Sequence, residues 1–182
     1  MKLTLLLFFI FSIYLHADAK YEMFQLYKTS QYQKACTMGY DYFKKFKRDA
    51  QYASLYGFSC LKSDYIDRLA QPIATLKFSK EARENSAYFA TILMQKKLLY
   101  HSLLDGYDLS KFKFPTTTYV LSKVFDLYSQ LPKHKQKEFY ILQDPDNKSI
   151  IYKLYTIKDN NIDKMVIEEY YDTIKVKRHI YW

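Results

Sequence analysis

IIYKLYTIKDNNIDKMVIEEYYDTIKVKRHIYW (Ile150–Trp182) decides the fold class. β-Branched and aromatic residues dominate it. Two polar interruptions, Lys158-Asp159-Asn160-Asn161 and Asp172, stand where hairpin turns belong. Upstream, FYILQ (Phe139–Gln143) and the turn Asp144-Pro145-Asp146-Asn147 add one more strand and turn. The expectation is a four-stranded antiparallel meander with one face packed and one face wet. In the last run, alternation assigns Ile174, Val176, Ile180 and Trp182 to the packed side. Lys175, Lys177, His179 and Tyr181 then fall on the other side.

Moving toward the N-terminus, the period changes from two to three and four. Residues 21–27 begin a short helix and Thr29-Ser30-Gln31 breaks it. A helix over 31–46 follows, with Tyr32, Ala35, Cys36, Gly39, Tyr42 and Phe43 on one side. Asp49 is placed to cap the next helix, whose stripe is Tyr52, Ala53, Tyr56, Gly57 and Cys60. Ser63 or Asp64 would cap a further helix to about Leu76, with Ile66, Leu69, Ala70 and Ile73 inward and Pro72 kinking it. Lys80–Asp105 is the longest helical stretch, and Gly106 stops it. A last helix spans 116–131, with Tyr119, Val120, Val124, Leu127 and Tyr128 as its face. Helices first and strands after define an α+β chain. Its expected organisation is a leader at 1–19, a helical domain at 20–132 and a β-meander at 137–182 packed on the helical part.

YKTSQYQKAC and LKSDYIDRLA each place a helix end, a polar turn and a tyrosine just inside the next helix. Tyr32 and Tyr65 are 33 residues apart. Over about residues 21–76 the chain resembles helix–turn–helix repeats of the tetratricopeptide class. It departs from that pattern in having Arg48-Asp49 where the family carries proline, and in placing Arg68 where a small residue is usual. The resemblance implies a scaffold presenting a concave surface to peptides or partner proteins, without chemistry of its own.

The N-terminus sets the expected compartment. Lys2 precedes an apolar run, Leu3–Leu15, and Ala17-Asp18-Ala19 offers small residues for a signal peptidase. That reads as a secretory signal peptide cleaved after Ala19, because the run is shorter than the ~20 residues that span a bilayer. The expected location is the periplasm. The 182-residue chain carries a net charge of +9, with 20 Tyr, 13 Phe, 3 Gly and 4 Pro. So little Gly and Pro excludes a loop-dominated or disordered chain. Outside the cytoplasm, a basic chain meets protein partners, anionic lipid or cell-wall polymers rather than nucleic acid.

No constellation for catalysis, cofactor or metal emerges. Cys36 and Cys60 lack a neighbouring base, and His101, His134 and His179 lie elsewhere in the chain. In an exported protein the cysteines are expected as a disulfide between neighbouring antiparallel helices. The alternative is two buried thiols filling small-residue positions. Glu168 and Glu169 are adjacent on a strand and point to opposite faces. The expected function is a non-catalytic envelope scaffold. By analogy it would be an accessory part of an envelope machine such as the flagellar motor. Exposed Tyr27, Tyr40 and Tyr56 would anchor a partner, and Lys44, Lys45, Lys175, Lys177 and Arg178 would steer it. The rival is a small-ligand binder or enzyme whose pocket gathers His101, Asp105 and Tyr107. A cell-wall or membrane-surface binder is a third reading.

Overall fold

The computed structural model describes residues 19–132, 134 and 137–182. The signal-peptide reading falls, apart from Ala19, outside the described residues. The chain is α+β, with helices first and an antiparallel sheet at the C-terminal end. It divides into two compact units, one up to Ser86 and one from Ala87 onward.

The first unit begins with α1, residues 19–28, followed by α2 (Tyr32–Phe46) and α3 (Ala50–Lys62). A 3₁₀ turn (Ile66–Leu69) leads into α4 (Ala70–Thr75), and α5 (Lys80–Asp105) starts in this unit. Asp49 caps α3 as expected, its carboxylate accepting the N–H of Tyr52 at 3.0 Å. Ala35, Cys36, Gly39 and Phe43 of α2 pack on Tyr52, Ala53, Tyr56, Gly57 and Cys60 of α3, and all are buried. Tyr42, expected on that inner side, is exposed. It lies at the margin of the apolar arc, where its phenol reaches water. A disulfide joins Cys36 to Cys60 with their Cα atoms 4.8 Å apart.

Two turns in this unit repeat each other. Ser30 and Asp64 both adopt the left-handed conformation, at φ 59° and 64°. The residues that follow, Gln31 (φ −82°, ψ 54°) and Tyr65 (φ −81°, ψ 59°), have nearly the same backbone. The N–H of Gln31 donates to Leu26 O at 2.8 Å, and that of Tyr65 donates to Cys60 O at 2.9 Å. Gln31 is thus equivalent to Tyr65, a spacing of 34 residues and one more than the tyrosine alignment. The residue at the N-cap of the following segment is Tyr65, whose own side chain makes no capping bond. The expected single helix is split into the 3₁₀ turn and α4, and Pro72 sits in the first turn of α4, where no helical N–H is required of it.

The second unit contains the rest of α5, α6 (Val120–Ser129) and the sheet. The strands are β1 (Phe139–Gln143), β2 (Ile150–Asp159), β3 (Ile162–Tyr171) and β4 (Ile174–Tyr181), ordered β1-β2-β3-β4. Opposed residues share a face. Tyr140, Leu154, Ile167 and His179 therefore form one inward row, and Met165 and Tyr181 form another. Tyr140 meets Tyr128 of α6 edge-on at 5.0 Å, and Tyr181 OH lies 3.3 Å from Tyr119 OH. Burial raises the phenol pKa values of Tyr128 and Tyr152.

β4 does not face the way its alternation implies. Ile174 and Val176 are 70% and 66% exposed, whereas His179 and Tyr181 are buried. Glu169 opposes Lys177 and Tyr170 opposes Lys175, so Val176 is an extra residue in a bulge. Only the second half of β4 is covered, and there the inward face is set by the pairing with Met165 and Ile167. His179 is accommodated by a 2.8 Å hydrogen bond from Nε2 to Glu169 and by stacking on Tyr181.

Candidate functional site

The first unit carries a groove of about 650 Å³ lined by α1, α3 and α5. Tyr21 and Phe24 of α1, with Leu55 and Phe58 of α3, make its apolar surface. Within each pair the residues are three apart, so they stack on one helix face. The rim is polar. Lys20 bonds Asp49 at 2.7 Å and Gln51 at 2.9 Å, tying α1 to the start of α3. Asn85 donates to Ser54 Oγ at 3.0 Å, tying α5 to α3. Glu81 stands one turn before Asn85 at the exposed end. Burial pushes the Asp49 carboxyl upward, but the Lys20 ammonium and the Tyr52 N–H outweigh it and hold it below its ordinary value.

An apolar trough with a few fixed polar groups suits the side chains of a peptide or another apolar ligand. Among the described residues no group of three or more His, Cys, Asp or Glu could hold a metal.

None of the sequence-nominated residues lines this groove. Tyr56 is fully buried, its ring against Gly39 and its hydroxyl donating to Gln71 at 3.1 Å. It cannot anchor a partner, and its expected exposure is corrected here: its place in the α3 stripe makes it core. Tyr40 is half exposed, with the Arg68 guanidinium 4.9 Å from its ring centroid. The same guanidinium lies 4.8 Å from the Tyr65 ring and 3.6 Å from Cys36 Sγ. Arg68 thus fills its unexpected position by stacking. Tyr27 is half-buried against Tyr32, with ring centroids 5.2 Å apart. Lys44 and Lys45 are exposed in the last turn of α2, where positive charge suits the helix dipole.

In the second unit, Lys175 and Arg178 lie 3.3 and 3.7 Å from the Glu168 carboxylate. Burial raises the Glu168 pKa, but hydrogen bonds from Tyr170 and Lys175 prevail and the net shift is downward. Lys177 is exposed opposite Glu169. His101, Asp105 and Tyr107 do come together: Nδ1 of His101 is 2.7 Å from Asp105, and its ring stacks on Tyr107 at 4.6 Å. All three are exposed on the surface. His134 is instead buried between Asp108 (3.0 Å) and the Tyr128 carbonyl (2.9 Å).

The groove residues were not singled out by sequence reasoning. Their signal was present as the three-residue pairs Tyr21/Phe24 and Leu55/Phe58, which lie off the stripes that carry the cysteines. No protein-family model, curated protein or solved structure matches the chain.

Proposed function

We propose that this is a non-catalytic, exported interaction protein, a scaffold of the cell envelope whose helical unit receives an apolar segment of a partner protein. The observation that carries this reading is the groove. Its walls are α1, α3 and α5, which are alternate helices of the unit. α2 and α4 lie between them in the chain and contribute no wall residue. Stacked helical hairpins offer such a surface, with one helix of each pair facing the ligand. The 34-residue equivalence of the two turns supports the same reading, since 34 is the tetratricopeptide period. The leader-like N-terminus supports export, and an accessory part in an envelope machine is the role this architecture fits.

The test is site-specific photocrosslinking in intact cells. A photoreactive residue at Leu55 is expected to give a discrete adduct with one envelope protein. The same residue at Lys62, on the exposed end of α3, is expected to give none. The Phe24→Asp variant should abolish the Leu55 adduct while the protein remains exported and folded. Absence of any Leu55 adduct from exported, folded protein refutes the scaffold reading.

A further inference from the structure

Arg68 carries a positive charge that, among the described residues, no carboxylate pairs with. Its guanidinium is held by the rings of Tyr40 and Tyr65, and Tyr65 OH accepts a 3.0 Å hydrogen bond from Gln33 of α2, which fixes the frame. Its polar contact is to sulfur: Nη1 donates to Cys36 Sγ at 3.6 Å. Among the described residues no side chain donates to Cys60 Sγ. The two halves of the disulfide are therefore unequal. A cation beside a cysteine favours its thiolate, the form that attacks and leaves disulfides.

We infer that Cys36 is the exchange-reactive sulfur of the pair and Arg68 its activating cation, so that the disulfide is made and opened through a mixed disulfide on Cys36. The co-reactant is a dithiol–disulfide reagent, small or protein-borne, of the kind that acts on exported chains. In the reduced chain Cys36 gives its proton to solvent, and its thiolate attacks one sulfur of the oxidant. The Cys36–oxidant bond forms as the oxidant's own disulfide breaks, and the electron pair leaves on the oxidant's second sulfur. Cys60 then loses its proton to solvent and attacks Cys36 Sγ. The protein disulfide forms and the oxidant departs as a dithiol, so the protein pair loses the two electrons that the oxidant gains. Opening by a dithiol retraces these steps through the same intermediate. In both directions negative charge passes through the Cys36 sulfur, where the guanidinium lies. Both sulfurs are buried, so exchange waits on local opening of the α2–α3 pair. Tyr40 stands one turn after Cys36 on α2, and its stack on Arg68 keeps the cation with Cys36 during that opening. This chemistry belongs to the helix pair and does not depend on whether the groove binds a partner.

The test compares Cys60→Ser, which leaves Cys36, with Cys36→Ser, which leaves Cys60. Each is reacted with glutathione disulfide at neutral pH, and formation of the mixed disulfide is timed by mass spectrometry. Circular dichroism establishes that each variant is folded. Cys36 is expected to react about fivefold faster than Cys60 or more, and the preference should vanish in denaturing urea. Arg68→Met added to Cys60→Ser should abolish it, and Arg68→Lys should keep part of it. A second measurement uses the parent with its disulfide intact. Brief treatment with glutathione, acid quenching and peptide mapping should place the glutathionyl group on Cys36. Equal rates in the folded variants overturn the inference, as does a glutathionyl group mapped to Cys60. A faster Cys36 in the Arg68→Met protein also overturns it, because Arg68 would then shield the sulfur rather than activate it.

Discussion

Gly39 of α2 lies directly against the ring of Tyr56 of α3: a methyl group on Gly39 would stand 2.3 Å from Tyr56 Cδ2. Two helices can approach this closely only where one of them lacks a side chain. Gly39 also sits one turn after Cys36, so the glycine contact and the disulfide hold the same helix pair. Alanine favours helix over glycine by about 1 kcal/mol, but overpacking costs about 1–3 kcal/mol and the backbone here has little room to give. Gly39→Ala should therefore destabilise the helical unit despite its better propensity. The check is the urea midpoint, and a midpoint at or above that of the parent would contradict this packing.

The Cys36–Cys60 bond closes a 24-residue separation across α2 and α3. In the chain-entropy account, such a loop constrains the unfolded chain by about 3 kcal/mol. Cys36→Ser with Cys60→Ser, or reduction of the parent, should lower the stability of the first unit by about 2–5 kcal/mol. Guanidinium unfolding with and without reductant measures this. The double variant should become insensitive to reductant.

Much of this architecture was legible in the sequence, and the exceptions have physical causes. The period change near residue 137, the span of α5 and the Asp49 cap follow from local rules, because each depends on neighbours three or four residues away. The facing of β4 did not. Alternation assumes an unbroken pleat, and the bulge at Val176 depends on where β3 pairs with it. The burial of Tyr56 is not legible either, because a tyrosine on a buried stripe and one on a binding face look alike in the sequence, and the opposing Gly39 lies on another helix. The 33-residue spacing of Tyr32 and Tyr65 is one short of the spacing between the equivalent turn residues Gln31 and Tyr65, because backbone conformation, not side-chain identity, sets the equivalence.

Acid should act on the sheet through defined carboxylates. The hydrogen bond from His179 holds Glu169 below the usual carboxylate range. Burial pushes Asp144 upward, but the N–H groups of Asp146 and Asn147 outweigh it and the net shift is also downward. A folded-state pKa below the unfolded value means that the unfolded chain binds more protons. The stabilisation is therefore complete above the unfolded values, near 4, and is lost as pH falls through the lower folded values. The urea midpoint of the second unit should fall steeply below about pH 4. Glu169→Gln should make that fall shallower. An acid limb of unchanged slope in the variant would remove Glu169 from the account.

Lys96 is the most unusual core residue of the second unit: it is almost wholly buried, and its ammonium donates to the main-chain oxygen of Trp182. The ammonium also lies 5.4 Å from the Tyr100 ring centroid. The stem contributes packing and the head contributes a hydrogen bond, and these can be separated. Lys96→Met keeps the stem volume and removes the charge, so the desolvation cost disappears along with the bond. The change also leaves the Trp182 oxygen without this donor, which should cost about 1–3 kcal/mol. Lys96→Ala loses the stem as well and leaves a cavity, which should cost a further ~2–4 kcal/mol. The expected order of stability is thus parent above Lys96→Met, and Lys96→Met well above Lys96→Ala. Thermal and urea unfolding of the three proteins decide it. If Lys96→Met falls as far as Lys96→Ala, the hydrogen bond to Trp182 rather than the stem carries the residue's contribution.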